Sequence, residues 1–139
     1  MRQVQTTITI QTKGLGLLEI TRTVALWLQE QNVHMGLVTI FCRHTSASLT
    51  IQENADPDVQ QDLVAFFNRL VPEGAVWFQH TSEGPDDMPA HVKGALTDVS
   101  LTIPVSGGRM TLGTWQGIYL FEHRRRPHHR DVVLHFVGE

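Results

Sequence analysis

Residues 37–54 read LVTIFCRHTSASLTIQEN. This stretch is rich in β-branched residues and predicts two strands, at 37–44 and 46–54, joined by a short link. Because the link is so short, we expect the two strands to be neighbours. The other predicted elements of the chain are described relative to this pair of strands.

Each of these strands carries an apolar row that ends in an ionisable residue. Because side chains alternate across a strand, the rows that start at Val38 and Ala47 end in His44 and Glu53. A third row, in a predicted strand at 118–123, ends in His123. An inward carboxylate needs a partner or a cation, whereas a lone buried histidine is more often a structural residue. The joint occurrence of three such rows favours a polar hollow at the edge of the core.

The remaining sequence predicts further strands and two helices. Strands are expected at 3–12, 100–105, 110–112 and 131–137, and the first helix is expected to be capped by Thr21 and to end near Asn32. Asp56 and Pro57 mark the start of the second helix, since aspartate caps and proline suits the first position. The pattern predicts one α+β domain, 1–139, with mainly antiparallel strands in a sheet or sandwich and the two helices outside. The second helix should face the core with Val59, Leu63, Phe66, Phe67 and Leu70.

Composition restricts the class of partner. The chain has 11 Lys and Arg against 14 Asp and Glu, a net charge of -3, which lacks the positive field that holds nucleic acid. No apolar run resembles a signal peptide or a membrane span, and the single cysteine, Cys42, excludes an intrachain disulfide framework. We therefore expect a cytoplasmic protein that binds neither nucleic acid nor membrane. Its eight histidines hint at metal or acid–base chemistry.

Residues 80–93 read HTSEGPDDMPAHVK and form the densest cluster of histidines and acids. Imidazole and carboxylate together suit zinc or manganese, while the adjacent Asp86 and Asp87 can hold magnesium on a pyrophosphate. The same residues are also typical of a turn. In that interpretation Asp86 or Asp87 caps a short helix that runs through His91. Both interpretations are open. Otherwise 73–93 predicts a long loop with an extended piece at 76–78.

Two further motifs carry weaker signals. Hydroxyl residues flank His44, but no nucleophile-elbow pattern surrounds them, so they are better donors to an anion than nucleophiles. Residues 113–117 read GTWQG and lack the spacing of phosphate-binding loops. Their glycines allow close approach of a ligand or another subunit, or mark a sheet bulge.

Several blocks of the sequence, in order, resemble the YjbQ family. They read FCRHTSASLTIQEN at 41–54 with Asp56-Pro57 following, EGPDDMPAHVK at 83–93, LGTWQGIYL at 112–120 and EHR at 122–124. The resemblance implies an α+β fold with two packed sheets, and a homotrimer with sites near the subunit boundaries. It also implies a low, secondary thiamine-phosphate synthase activity. That reaction joins a pyrimidine pyrophosphate to a thiazole phosphate and releases pyrophosphate.

The resemblance further implies roles for residues around one pocket. Loss of pyrophosphate leaves a pyrimidine-methyl cation, so a divalent metal, zinc or magnesium, or basic side chains are expected to stabilise the departing charge. Two alternatives stay open: a zinc-dependent phosphoester hydrolase, and a non-enzymatic trimeric module that binds a phosphorylated metabolite. The expected roles are catalysis by His44, Glu53, Asp86 and Asp87, phosphate binding by Thr45, Ser46, Lys93, Thr114 and Arg124, and metal ligation by His80, His91 and His123.

Overall fold

In the computed structural model, which describes residues 1–139, eight strands form two antiparallel sheets flanked by three helices. The larger sheet has the strand order β1-β8-β3-β5-β6, and the smaller has the order β2-β7-β4. This confirms the predicted α+β class with two sheets. The strands are β1 (Arg2–Gln11), β2 (Gly16–Glu19), β3 (Gly36–Cys42), β4 (Ala47–Glu53), β5 (Ser100–Ser106), β6 (Arg109–Met110), β7 (Gln116–Glu122) and β8 (His129–Gly138). The helices are α1 (Thr21–Glu30), α2 (Pro57–Leu70) and α3 (Asp87–Leu96).

One apolar core of 16 buried residues is shared by both sheets and α1. The predicted rows of β3 and β4 point into this core, because Val38 and Ile40 from one strand and Ala47 and Leu49 from the other are fully buried. Period-two alternation therefore identified the inward faces correctly.

Strand β7 is buried on both of its faces. Ile118 and Leu120 point into the core, whereas Phe121 points outward and meets Phe67 of α2 edge to face, with ring centroids 5.4 Å apart. This central position in the small sheet gives the residues at the end of β7 fixed surroundings on both sides. The candidate site lies at that end.

The expectation that the first two predicted strands are neighbours is wrong. β3 pairs with β8 and β5 in the larger sheet, whereas β4 pairs with β7 in the smaller one. The link at 43–46 carries the chain from one sheet to the other. The Ser46 carbonyl on this link accepts hydrogen bonds from the His123 N–H and from Arg130, which fixes the crossing.

The first helix begins at Thr21 rather than after it, and Ile20 occupies the cap position without a side-chain hydrogen bond. The Thr21 hydroxyl instead donates to Glu19 Oε2 at 2.8 Å and accepts from the Ile118 N–H at 2.8 Å. The hydrogen bond with the Ile118 N–H holds the start of α1 against β7. In the second helix the predicted cap is confirmed, since Asp56 accepts from the Asp58 N–H at 2.9 Å.

The apolar stripe of α2 is not part of the core. The helix contains no fully buried residue, and the side chains of Phe66 and Leu70 are 58% and 54% exposed. The helix lies over the outer face of the small sheet, so only part of the stripe, such as Phe67, contacts β7. None of the helices is long and apolar enough to cross a lipid bilayer.

A third helix, α3, replaces the last third of the predicted loop, and the rest of it is irregular as expected. It is the short helix of the alternative interpretation, with Asp86 in the cap position, but the Asp86 side chain does not cap it. That side chain binds Arg124 instead. The predicted extended piece at 76–78 is a turn in which the Phe78 N–H donates to the Ala75 carbonyl at 3.1 Å.

Candidate functional site

The first turns of α3 and the loop before it bring three possible metal ligands together. One ligand atom each from His80, Asp87 and His91 lies within 4.8 Å of the others. Asp87 Oδ2 is 2.8 Å from His80 Nε2 and 3.2 Å from His91 Nε2. Residues four apart share one face of a helix, which is why Asp87 and His91 meet. The carboxylate is buried and His80 is exposed, so the cluster is open to solvent on one side.

Arg124, which follows the end of β7, holds both aspartates of this cluster in place. Its guanidinium donates to Asp87 Oδ1 at 2.7 Å and to Asp86 Oδ2 at 3.1 Å, and also to the Glu83 carbonyl at 2.9 Å. Because one oxygen of Asp87 is bound by Arg124, the other is directed at the two histidines. This is the outer layer of hydrogen bonds that orients ligands at metal sites.

The charges in the cluster keep its acids ionised. Burial alone would raise the pKa of Asp86, but hydrogen bonds from Arg124 and from the Arg125 N–H lower it to about 2. For Asp87, the effect of burial is likewise outweighed by the hydrogen bond from His80 and by nearby positive charge, so its pKa is lowered. The hydrogen bond to Asp87 raises the pKa of His80. A cation bound here would therefore compete with a proton on His80.

His44 lies at the same end of the sheets, but both of its ring nitrogens face protein donors. Nε2 accepts from the Asp131 N–H at 2.7 Å, and Nδ1 lies 3.5 Å from the guanidinium of Arg130. Burial, reinforced by the charge of Arg130, lowers the pKa of His44. A neutral imidazole has one acceptor nitrogen, and Nε2 takes that role here, so His44 holds the backbone at Asp131 in place.

The family model for UPF0047 protein YjbQ-like chains matches residues 6–139. The chain belongs to the YjbQ family. A UPF0047 protein of Synechocystis sp. is 52% identical to it over 99% of this chain and 94% of the relative. YjbQ of Escherichia coli O157:H7 is 41% identical over 97% of this chain and 98% of its own length.

Two similar solved structures agree with the architecture described above. A hypothetical protein of Aeropyrum pernix K1 superposes with a TM-score of 0.89 at 32% identity, covering 98% of this chain and 99% of that one. An uncharacterized YjbQ/UPF0047 protein of Clostridium acetobutylicum superposes with a TM-score of 0.87 at 34% identity, covering 95% and 99%. These likenesses establish fold and family, but they do not identify a reaction.

In this YjbQ-family chain, the predicted site residues fall into three groups. Asp86, Asp87, His80, His91 and Arg124 are in direct contact. Further predicted residues line the same end of the small sheet without joining that cluster: His44, Thr45, Ser46, Lys93 and His123.

Glu53 and Thr114 lie elsewhere, so a single chain does not bring them together with the other predicted site residues. Glu53 pairs with Gln116 at the start of β7, six residues from Glu122, and a strand rises about 3.3 Å per residue. They are thus at the opposite end of β7 from Arg124, about 20 Å along the strand from Glu122. The Glu53 carboxylate instead accepts from the Asp56 N–H at the start of α2, at 3.3 Å.

His123 is separated from the other two predicted metal histidines. It is 1% exposed, and its Nε2 lies 2.8 Å from the Ser48 hydroxyl. Burial, with the charge of Lys93, lowers the pKa of His123 to about 3. It is therefore a neutral, enclosed imidazole rather than a member of the His80–Asp87–His91 cluster.

A buried ion pair that is not among the predicted site residues lies beside the site. Glu122 and Arg130 are 1% and 3% exposed, and the Arg130 guanidinium donates to both oxygens of the Glu122 carboxylate. The alternation rule would have found Glu122, since it continues the inward row of Ile118 and Leu120 on β7. The predicted row on that strand, which ends in His123, lies on the opposite face.

Proposed function

We propose that this chain is a metal-dependent enzyme acting on small phosphorylated metabolites, with a weak thiamine-phosphate synthase activity. The observation that carries the proposal is the convergence of His80, Asp87 and His91 within 4.8 Å, with one buried member and two accessible ones. Two imidazoles and a carboxylate with an open side are the donor set typical of catalytic zinc.

The donor set also bears on which metal would bind. Magnesium prefers oxygen ligands and keeps much of its water, whereas imidazole nitrogen suits zinc and related ions. Asp86 is engaged by Arg124 and by the Arg125 N–H, so it is not free to pair with Asp87 as a magnesium site. Zinc therefore fits the residues better than magnesium.

In the proposed thiamine-phosphate synthase reaction, the bond from the pyrimidine methylene carbon to pyrophosphate breaks and the thiazole nitrogen forms a bond to that carbon. Pyrophosphate leaves with the electron pair. A divalent ion held by His80, Asp87 and His91 would supply positive charge that stabilises this leaving group. Lys93, which is 5% exposed, adds a second positive charge away from bulk water, where its effect is strongest.

The contacts modify several of the expected roles. Asp87 serves as a ligand held in position by Arg124, and Asp86 neutralises Arg124 rather than acting on substrate. Arg124 is a positioning residue, because its guanidinium is already engaged by two carboxylates and a carbonyl. Among the expected phosphate-binding side chains, this leaves Lys93 as the cation that is free to meet an anion.

We also propose that the protein is a cytoplasmic homotrimer. Several large apolar side chains would be left in water by a single chain, including Trp77, which is 74% exposed, and Phe66 and Leu70 on α2. Exposed apolar patches commonly mark interaction surfaces. The free, buried thiol of Cys42 agrees with a reducing compartment.

The proposal is tested by an assay of condensation on purified protein. Thiamine-phosphate formation and pyrophosphate release would be followed before and after chelation, and after zinc or magnesium is returned. We expect chelation to abolish the activity, zinc to restore it, and His91→Ala to remove it. His34→Ala, which changes an exposed histidine on another loop, should leave it intact. Activity that survives chelation would overturn the proposal, and zinc-dependent phosphoester hydrolysis without condensation would favour the hydrolase.

A further inference from the structure

A chain of hydrogen bonds that runs from α3 to His123 determines which ring nitrogen of this histidine carries the proton. The Thr97 hydroxyl donates its single proton to the Lys93 carbonyl at 2.7 Å. Ser48 Oγ lies 2.7 Å from Thr97 Oγ1 and therefore donates to it, so that Ser48 accepts from His123 Nε2 at 2.8 Å. Nε2 thus carries the proton of the neutral ring, and Nδ1 is an acceptor.

This Nδ1 atom is buried and has no hydrogen-bond partner. Burial, with the charge of Lys93, lowers the pKa of His123 to about 3, so the lone pair of Nδ1 stays unprotonated at neutral pH. A buried acceptor that has lost its contact with water and gained no donor is costly, and such atoms are rare in proteins. A donor group of a ligand would satisfy it.

His123 lies on the wall of a cavity of about 240 Å³, whose other polar residues are Asn68, Glu73, Asp86 and Lys93. The ammonium group of Lys93 donates to Asn68 Oδ1 at 2.7 Å, which holds it on the same wall. Whole small-molecule ligands usually occupy about 300–1,000 Å³. A cavity of this size is suited to one ring of a ligand rather than to the entire molecule.

The charges around this cavity compensate one another. Burial lowers the pKa of Lys93, but the negative charges of Glu73 and Asp86 act in the opposite direction. These two acids in turn pair with Arg125 and Arg124. A cationic donor would meet the ammonium group of Lys93 without a free counterion, and an anion would meet two carboxylates. The cavity is therefore suited to a neutral group.

We infer that His123 Nδ1 accepts a hydrogen bond from the neutral exocyclic amino group of a pyrimidine ring bound in this cavity. Such an amino group donates well and accepts poorly, because its lone pair is delocalised into the ring. The choice of this donor rests on the proposed function, since the pyrimidine of thiamine carries an amino group beside its reacting methylene carbon. His123 is then a substrate-binding residue in place of the expected metal ligand.

The test is an NMR titration of 4-aminopyrimidine into the full-length protein at slightly alkaline pH, where this base is neutral, in the presence of a chelator. The matched probe is 4-methylpyrimidine, which has nearly the same shape but no donor. We expect the methyl compound to bind about tenfold more weakly, as loss of one buried hydrogen bond does. Equal binding of the two pyrimidines to the wild type, or no binding of 4-aminopyrimidine up to its solubility limit, would overturn the inference.

Two substitutions of His123 separate the roles of its nitrogens. In His123→Gln the side-chain amide can still donate to Ser48 but leaves no acceptor at the place of Nδ1, so the two pyrimidines should bind equally. In His123→Asn the amide oxygen can occupy the place of Nδ1, so part of the preference should survive. His34→Gln changes an exposed histidine and should keep the full preference. A tenfold preference that persists in His123→Gln would contradict the inference.

Ring ¹⁵N spectra of the wild type give a measurement that does not depend on the folding of a variant. The Nδ1 signal should be that of an unprotonated nitrogen and should shift with 4-aminopyrimidine, while Nε2 keeps its proton. A protonated Nδ1, or an unchanged signal at saturation, would refute the assignment.

Because the probes carry no phosphate and the metal is chelated, this inference and the proposed function fail separately. If the preference for the amino compound is found but condensation is not, the inference stands and the proposed synthase activity does not. If zinc-dependent condensation is found without that preference, the proposed function stands and the inference is overturned.

Discussion

Removing Glu122 should destabilise the protein far more than removing Glu122 and Arg130 together. The carboxylate accepts from Arg130 Nε at 2.8 Å, from the Thr12 hydroxyl at 2.7 Å and from the Arg124 N–H at 3.1 Å. In Glu122→Ala the guanidinium of Arg130 stays buried and loses its counterion. Breaking such a pair from one side costs about 3–5 kcal/mol.

The paired variant Glu122→Leu/Arg130→Met removes both charges and refills the space with apolar groups. Its cost should be about 1–2 kcal/mol, because the Arg124 N–H loses its acceptor while the Thr12 hydroxyl keeps a contact with the His128 carbonyl at 3.3 Å. The difference between the two variants isolates the cost of an unpaired buried charge.

Urea unfolding at one fixed protein concentration measures both costs. With a slope of about 2 kcal/mol per molar, Glu122→Ala should lower the unfolding midpoint by about 2 M, and the paired variant by less than about 1 M. A loss below about 1 kcal/mol for Glu122→Ala would refute the reasoning, since surface pairs have that size. So would a paired variant that is as unstable as the single one.

Three further predictions concern the site and the assembly. Arg124→Gln should lower zinc affinity about 10–100-fold in a competition titration, whereas Arg125→Gln at the next residue should not. Equal losses of zinc affinity in the two variants would show that Arg124 does not orient the ligands. Because burial lowers the pKa of His123 to about 3, the unfolded chain takes up this proton first, near pH 6.5. Stability should therefore fall as the pH drops from about 6.5 toward 3, and more steeply in the wild type than in His123→Gln; parallel curves would contradict this. Phe66→Glu should dissociate the proposed trimer in sedimentation experiments, whereas Gln61→Glu on the same helix should not. A trimer that survives both substitutions would exclude this part of α2 from the interface.

Local patterns predicted the strands and their inward faces because alternation is a property of neighbouring residues. Val38 and Leu49 are buried as that rule requires, and Asp56 caps α2 as its position before Pro57 indicates. Pairing partners are not a local property. Nothing in residues 37–54 distinguishes a hairpin from a crossing between two sheets, so the sequence alone favours pairing of β3 with β4.

The candidate site could be predicted in part, for the same physical reason. The cluster at 80–91 is compact in sequence, and its members meet in space because α3 places Asp87 and His91 on one face. The contribution of Arg124 comes from more than thirty residues further along the chain and depends on where β7 ends. The separation of His123 from the other histidines depends on Ser48 of a neighbouring strand, which the residue spacing does not reveal.

The most direct test of the central claim is anomalous diffraction at the zinc edge from crystals grown with zinc. We expect a peak about 2.0–2.2 Å from one ligand atom each of His80, Asp87 and His91. A fully occupied zinc bound elsewhere, with no peak among these three residues, would contradict it.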